Sequence, residues 1–594
     1  MALALTFTVP ASLCTHIRLT FQAFIPSVRS IRGQVPQSIR CIGDSPENSG
    51  EKIARRSANY QPPIWDHDYV QSLNSKYVGD AYVTYATKLK EEVKEVLKEV
   101  ADPLDGLQMI DDLQRLGVFY HFEDEIKRVL ENIYNKKQDG NNENDLHATS
   151  LKFRLLRQHG YNVPQEVFEN FMDEKGHFKA SLCDDIRGTL HLYEASFLSF
   201  TDESILEEAK DFATKTLENN IKRKEIDQDL SLLINHALEL PLHWRMPRSE
   251  ARWFIDLYER RPNFNPTLLQ FAKLDFNMVQ ATHQEDLKQV SRWWNKIGLG
   301  EKLRFSRDRL MECFLWSIGA SFKPHFSNYR RNMTIAAALI TTVDDVYDVY
   351  GTLDELEVFT NAVERWDIGA MDQLPNYMKI CFLAIFNSIN ELGYETLKEQ
   401  GIHVIPYLQK AWADLCKTYL IEAKWYYSGY IPTLEEYMRN AWITVGAPAV
   451  LTHAYLSCSN PISMEGLDWL AKHPNNIQRW MSLIVRLTDD LGTSPDEMKR
   501  GDNPKSIQCY MHETGVSEED ARNHIKYLIG KMWKKINEDR FADSPFSQTF
   551  LEFIMDFARV SHFMYQYGDG HAGQGRETKE QLLSLFINPV PLEY

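Results

Sequence analysis

The chain has 594 residues, 43% of them hydrophobic and 12% aromatic, which is too much for one ordinary hydrophobic core and points to two large globular domains. A formal net charge of −17 argues against a nucleic-acid binder, which needs a basic stripe, and suits a protein that recruits cations to an anionic ligand. Eight scattered cysteines with no CxxC pair argue against a disulfide framework or zinc ribbon, and no apolar stretch is long enough to span a bilayer.

The first segment differs in kind from the rest. Between Met1 and Cys41 there is no acidic residue, while Arg18, Arg29, Arg32 and Arg40 are spread among Ser, Thr and small apolar residues. That composition fits an organelle transit peptide, assigned here to residues 1–54, better than a secretory signal with its compact apolar core. Composition alone leaves plastid and mitochondrion open.

Beyond the leader the pattern is almost wholly helical. Ala86–Val100, Leu104–Gln114 and Asp202–Glu218 repeat apolar residues at three- and four-residue spacing, and 139–145, with Gly140 and three asparagines, reads as a surface loop. Asp227-Gln-Asp229-Leu230 is one acid short of the DxDD pattern of protonation-initiated cyclases and reads as a solvated helix face. Two prolines and two asparagines in Arg261-Pro-Asn-Phe-Asn-Pro266 mark a boundary, giving a first helical domain over 55–260 and a second over 267–594.

The second domain carries the chemistry. Arg307-Asp-Arg309 brings together two guanidiniums, a side chain suited to bidentate phosphate recognition. The apolar run Ile335–Val343 then leads into Asp344-Asp345-Val-Tyr-Asp348. Four-residue spacing puts Asp344 and Asp348 on one helix face. Carboxylates at the end of a buried helix are costly unless they meet water, a cation or a partner. Asp489, Thr493 and Glu497 repeat the logic at i, i+4 and i+8, and a hydroxyl between two carboxylates suits octahedral Mg²⁺. Asp490 lies about 100° around the helix and is expected to sit behind the metal ligands. Arg486 and the run to Lys505 add positive charge beside them. Two acidic ladders facing each other would hold a metal-bound diphosphate, so the chain reads as a magnesium-dependent enzyme acting on a diphosphate ester.

In these residues the chain closely resembles the ionisation-initiated terpene synthases of plants, in particular the angiosperm plastid monoterpene synthases. The first cluster matches DDxxD, the second matches (N/D)DxxSxxxE with Thr493 in the Ser/Thr slot, and Arg307 and Arg309 match RxR. Arg55-Arg56 followed at the right distance by Trp65 matches RRx8W, and Arg154–Gly160 and Ser291–Trp294 extend the likeness across 55–594. The resemblance implies an all-α fold of two helical domains, the C-terminal one an α-bundle enclosing the active site. It implies that Asp344, Asp348, Asp489, Thr493 and Glu497 bind three Mg²⁺ ions, or Mn²⁺, with Asp345 supporting the first site. Arg307, Arg309, Arg486 and Lys505 would hold the diphosphate. Arg55 and Arg56 would close as a lid and take part in isomerising geranyl to linalyl diphosphate. Trp316 and Tyr565 would face a carbocation, with Ala337, Val445, Val450 and His571 shaping the rest of the pocket and a helix break at Val445-Gly446-Ala-Pro448.

The implied activity is that of a monoterpene synthase, a carbon–oxygen lyase that ionises geranyl diphosphate and releases diphosphate with a cyclic or acyclic product. The implied setting is the plastid, in the chloroplast stroma, as a monomer with no nucleic-acid partner. Sesquiterpene and hemiterpene synthases, using farnesyl or dimethylallyl diphosphate, share most of these motifs and remain the alternatives. A prenyl elongase would carry a second DDxxD in place of the Thr493/Glu497 pattern. A non-catalytic scaffold would leave both acidic ladders unexplained. The motif set leaves the product open.

Overall fold

A computed structural model describes residues 55–135, 144–223, 226–472, 476–572 and 575–592. The transit-peptide reading and most of the 139–145 loop lie outside them. Arg55–Tyr594 forms one compact unit, and the described residues are helical throughout apart from turns and one isolated bridge between Met172 and Phe178.

Helices Asp80–Glu99, Pro103–Arg115 and Ser204–Arg223 stand where the apolar spacing predicts them. In the first, Leu89, Val93 and Leu97 recur every fourth residue on the buried face. The second opens with the Asp102 carboxylate accepting from the Leu104 and Asp105 amides and with Pro103 in its first turn. Asp227 caps Gln228–Glu239 in the same way. At the expected boundary the Pro247–Tyr258 helix ends, Asn265 caps, and Pro266 begins a 32-residue helix to Ile297. One continuous hydrophobic core holds Val70, Leu113 and Leu155 together with Leu339, Ile484 and Ile554, so the packing runs across that turn.

Three backbone features shape the C-terminal helices. Ser327–Asp345 widens into a π turn over Val346–Tyr350, just at the first acidic cluster. Leu434–Thr444 stops at Gly446, whose φ is +78°, before Ala447–Cys458 begins with Pro448 in its first turn, so the expected break is present. A Cβ on Gly446 would also lie 2.9 Å from Cγ2 of Ile340, so both backbone angle and space demand glycine. Pro495 lies inside Ile477–Arg500 and cannot donate to the Leu491 carbonyl. Arg522 Nη1 takes up that carbonyl at 3.0 Å, which keeps the helix that bears the second cluster intact.

Ile477–Arg500 packs on Glu518–Asp539 and Gln548–Tyr565, while Leu310–Ala320 packs on Ser327–Asp345 and Gln548–Tyr565. Ile477–Arg500, Gln548–Tyr565, Leu310–Ala320 and Ser327–Asp345, with Ile405–Ser428 and Ala447–Cys458, wall a single cavity.

Candidate active site

The cavity gathers most of the residues singled out in the sequence. Asp344 and Asp348 enter it from one helix and its π turn, and Asp489, Thr493 and Glu497 from another. Arg307, Arg486 and Lys505 line it, as do Trp316, Ala337, Val445, Val450, Tyr565 and His571.

The acidic groups crowd one another in a dry setting. Burial, reinforced by Asp344 and Glu422, pushes the Asp348 carboxyl well above the ordinary range, with Lys505 opposing. Burial also raises Asp489 to about 7, against the pull of Arg486, and raises Glu497. Thr493 Oγ1 and Glu497 Oε2 are buried with no hydrogen-bond partner. Oxygen donors left unmatched among repelling carboxylates fit a hard cation. Among the described residues no three His, Cys, Asp or Glu side chains converge on one point. A hard cation such as Mg²⁺ commonly takes a few carboxylates from the protein and completes its shell with phosphate oxygens and water.

The basic side chains are held against the clusters. Arg307 pairs through Nη2 with Asp344, and its Nε lies 3.0 Å from Asp345. Arg486 Nη1 donates to Asp489 at 2.8 Å, while its Nε is buried and unpartnered. Lys505 Nζ stands 3.9 Å from Glu497. Asp490 is fully buried behind them, accepting from the Tyr437 hydroxyl at 2.9 and 3.0 Å and from the Ser506 amide at 3.1 Å.

Two expected residues sit outside the cavity. Asp345, placed in the metal set, is fully buried and accepts from Ser306 Oγ and the Arg307 amide, so it orients Arg307 rather than facing the cavity. Arg309, expected to hold diphosphate, spends its donors on the carbonyls of Gln61, Asp308 and Ala572. It is only 3% exposed, and it ties the N-terminal segment to the loop carrying His571.

That N-terminal segment lies against both acidic regions. Arg55 pairs with Glu355 at 2.8 Å and donates to the Tyr350 carbonyl. Arg56 donates to the Asp348 carbonyl at 2.9 Å and to Asp502 at 2.8 Å. The ring of Tyr60 meets the guanidiniums of Arg307 and Arg500 at 5.3 and 6.0 Å.

The remaining wall is aromatic and aliphatic. Trp316 stands 5.1 Å from Phe557 and 6.0 Å from Tyr565, centroid to centroid. Burial, with Arg307 and Arg309 adding to it, pushes His571 down to about 3, so its imidazole is neutral. Its Nε2 lies 3.0 Å from Thr341 Oγ1, and its Nδ1 is buried without a partner.

Sequence reasoning missed Tyr419, Glu422, Phe557 and Asp569, all of which line the cavity, where Arg500 of the basic run up to Lys505 joins them. Glu422 accepts from Thr444 Oγ1 at 2.7 Å and from Asn440 at 3.3 Å. It shares the helix Ile405–Ser428 with one other acid, Asp414, and only its place in a buried stripe with Tyr419 could have marked it.

The same arrangement has known counterparts. The metal-binding domain of the terpene synthase family matches residues 295–535, and the terpene synthase N-terminal domain matches residues 64–238. The chain is 57% identical over 594 residues to a (-)-alpha-terpineol synthase of Vitis vinifera, covering 100% of this chain and 99% of the relative. It is also 57% identical to a chloroplastic myrcene synthase of Quercus ilex, covering 95% and 94%. Among solved structures, a limonene synthase with 2-fluorolinalyl diphosphate superimposes with a TM-score of 0.88 at 46% identity, over 91% of this chain and 100% of that one. An isoprene synthase from grey poplar, in complex with three Mg²⁺ ions and dimethylallyl-S-thiolodiphosphate, gives 0.82 at 43% identity, over 89% and 99%. With both family models matched in order and both acidic clusters in one cavity, the chain belongs to the terpene synthase family.

Proposed function

We propose that the protein is a plastid monoterpene synthase, a carbon–oxygen lyase that ionises geranyl diphosphate and converts the cation to a monoterpene. The observation that carries this reading is the meeting, in one cavity, of two acidic clusters, four Lys and Arg side chains and an aromatic wall.

Asp344, Asp348, Asp489, Thr493 and Glu497 would hold divalent cations, Mg²⁺ first and Mn²⁺ as a substitute, with Glu422 adding charge beside Asp348. When bound, the cations neutralise charge building on the departing diphosphate. Arg307, Arg486 and Lys505 grip the same oxygens, so negative charge is drawn away as the C–O bond breaks. The segment from Arg55 to Gln61 closes the mouth and keeps water from the cation. Trp316, Phe557 and Tyr565 present π faces that stabilise positive charge without attacking it. Ala337, Val445 and Val450 leave room for a ten-carbon chain folded through the linalyl stage. Neutral His571, with its free Nδ1, is placed to accept the proton that ends the reaction as an olefin.

Further support is indirect. The acid-free leader and the chloroplastic relative favour import into the plastid stroma, with maturation near Arg55. The turn at 261–266 falls between the two family-model matches and is kept as the division between two helical domains. No described helix is long and apolar enough to cross a membrane. The working form is a monomer.

The test is a product assay on protein beginning at Arg55, with geranyl, farnesyl and dimethylallyl diphosphates supplied separately, with and without Mg²⁺. A metal-dependent C10 product from geranyl diphosphate is expected. Turnover of only the C15 or C5 substrate would overturn the chain-length argument and leave the family intact.

A further inference from the structure

A second cleft, of about 180 Å³, opens between helices of the first half of the chain and those of the second, and shares no lining residue with the catalytic cavity. Arg154, Gln158 and His159 reach it from one side, and Ser321, Arg540 and Arg559 from the other. That volume holds several waters or one tetrahedral anion.

The charges around it do not balance residue by residue. Glu250 is engaged by Arg115 at 2.8 Å and Arg245 at 2.9 Å, Asp556 by Arg559 at 2.7 Å, and Glu552 by Lys323 at 3.4 Å. Each carboxylate of the cleft therefore already has its cation. Arg540 has none. Its guanidinium makes one hydrogen bond, from Nη2 to the Gln158 carbonyl at 2.8 Å, and no described carboxylate lies within ion-pair distance. Burial, with Arg559 adding to it and the more distant carboxylates of Glu552 and Asp556 opposing, pushes Arg540 down to about 10. Two further donors are unmatched at the same place. Arg154 gives one terminal nitrogen to Asp111 at 2.6 Å but keeps a buried Nε without a partner, and Ser321 Oγ is buried and unpartnered.

Holding a half-buried cation without an ion-pair partner beside two buried, unsatisfied donors is costly, and the cost is removed by a ligand that is anionic and accepts several hydrogen bonds. We infer that this cleft is a binding site for a phosphate-class oxyanion, with Arg540 as its counter-ion and Arg154 Nε and Ser321 Oγ as further donors. Its far wall is the Gln548–Tyr565 helix, which carries Phe557 and Tyr565 on the catalytic cavity, so the two sites share one element.

The test is calorimetric titration of the protein with orthophosphate and then diphosphate, in EDTA and without substrate, beside a melting scan. Saturable binding is expected, weakened at least ~10-fold in Arg540→Gln, with turnover of geranyl diphosphate in phosphate-free buffer unchanged. Tighter binding of diphosphate than orthophosphate, lost together in that variant, assigns the site to the reaction's own coproduct, and the reverse order assigns it to free phosphate. Should Arg540→Gln not fold, His159→Glu serves, because His159 is exposed at the rim and interacts electrostatically with Arg540. This built-in counter-ion is expected to abolish phosphate binding and raise the melting midpoint. No saturable binding, or binding that both variants leave unchanged, overturns the inference.

Discussion

Arg55 and Glu355 form a two-pronged ion pair across 300 residues of sequence, each terminal nitrogen donating to one carboxylate oxygen at 2.8 Å. The rings of Tyr350 and Tyr377 lie against the same guanidinium at 4.6 and 5.0 Å, and Tyr377 also donates to Glu355. The pair fixes the start of the segment whose next residue, Arg56, holds the Asp348 carbonyl. Order in the N-terminal segment and position of the first acidic cluster are therefore one problem.

Burial works to raise the Glu355 carboxyl, but the Arg55 hydrogen bond and the Thr352 amide outweigh it and bring the group down to about 2. A depressed carboxylate stabilises the fold above its unfolded value, near 4.5, and loses that contribution as pH falls through 2. Glu355→Gln, which keeps the helix-capping geometry, is expected to be less stable than the parent at pH 6, with the difference shrinking below pH 4.5. Limited proteolysis at Arg55–Trp65 should speed up in the variant at pH 6. Equal cleavage rates would show that the pair does not secure the segment.

Tyr437 and Asp490 illustrate support from behind the site. The Tyr437 hydroxyl spans both oxygens of a fully buried carboxylate that also faces Arg486. Tyr437→Phe leaves that acid short of a donor, at a cost of about 1–3 kcal/mol. Arg486 is then expected to turn toward Asp490 and away from Asp489, raising the Mg²⁺ concentration needed for half-maximal turnover by roughly tenfold. A Mg²⁺ titration of initial rate decides it, and an unchanged midpoint would confine Tyr437 to stability.

Much of this was legible in sequence because it is local. Asp344 and Asp348, and Asp489, Thr493 and Glu497, announce themselves by spacing within one helix, and Gly446 with Pro448 announces a break. What was hidden depends on distant chain. Arg309 sits two residues from Arg307, yet it is drawn off by carbonyls at Gln61 and Ala572, which no spacing reveals. Asp345 is adjacent to Asp344 but turns inward to a backbone amide at Arg307. Glu422 has no motif around it, and only folding brings it beside Lys505 and Asp348.

The metal reading carries a direct expectation. EDTA should abolish turnover, and added Mg²⁺ should restore it. Asp348→Asn and Thr493→Val each remove one oxygen donor from the charge-stabilising set and should each lower kcat by roughly 10²–10³. Folding should survive both changes, because relieving carboxylate crowding at Asp348 and removing an unpartnered buried hydroxyl at Thr493 are not destabilising. Rates measured in excess Mg²⁺, with melting midpoints alongside, separate lost catalysis from lost fold. A variant with full activity would remove its residue from the site.

Gly492 tests whether the aromatic wall sets the product. It lies between Asp489 and Thr493 on the second cluster's helix, facing the end of the Gln548–Tyr565 helix. A Cβ added there would stand 3.0 Å from the Gly568 carbonyl oxygen, 3.0 Å from the Tyr565 Cβ and 3.1 Å from the Tyr565 carbonyl oxygen. Two of those neighbours are backbone, so neither can swing aside as a side chain could. Helix propensity favours alanine over glycine by up to about 1 kcal/mol, whereas forcing two packed helices apart costs typically about 1–3 kcal/mol, so crowding wins. Gly492→Ala should lower the melting midpoint. It should also move Tyr565, which lines the cavity beside Trp316, and so alter the ratio of products from geranyl diphosphate more than the total rate. A variant with lowered stability but an unchanged product ratio would show that Tyr565 packs without steering the cation.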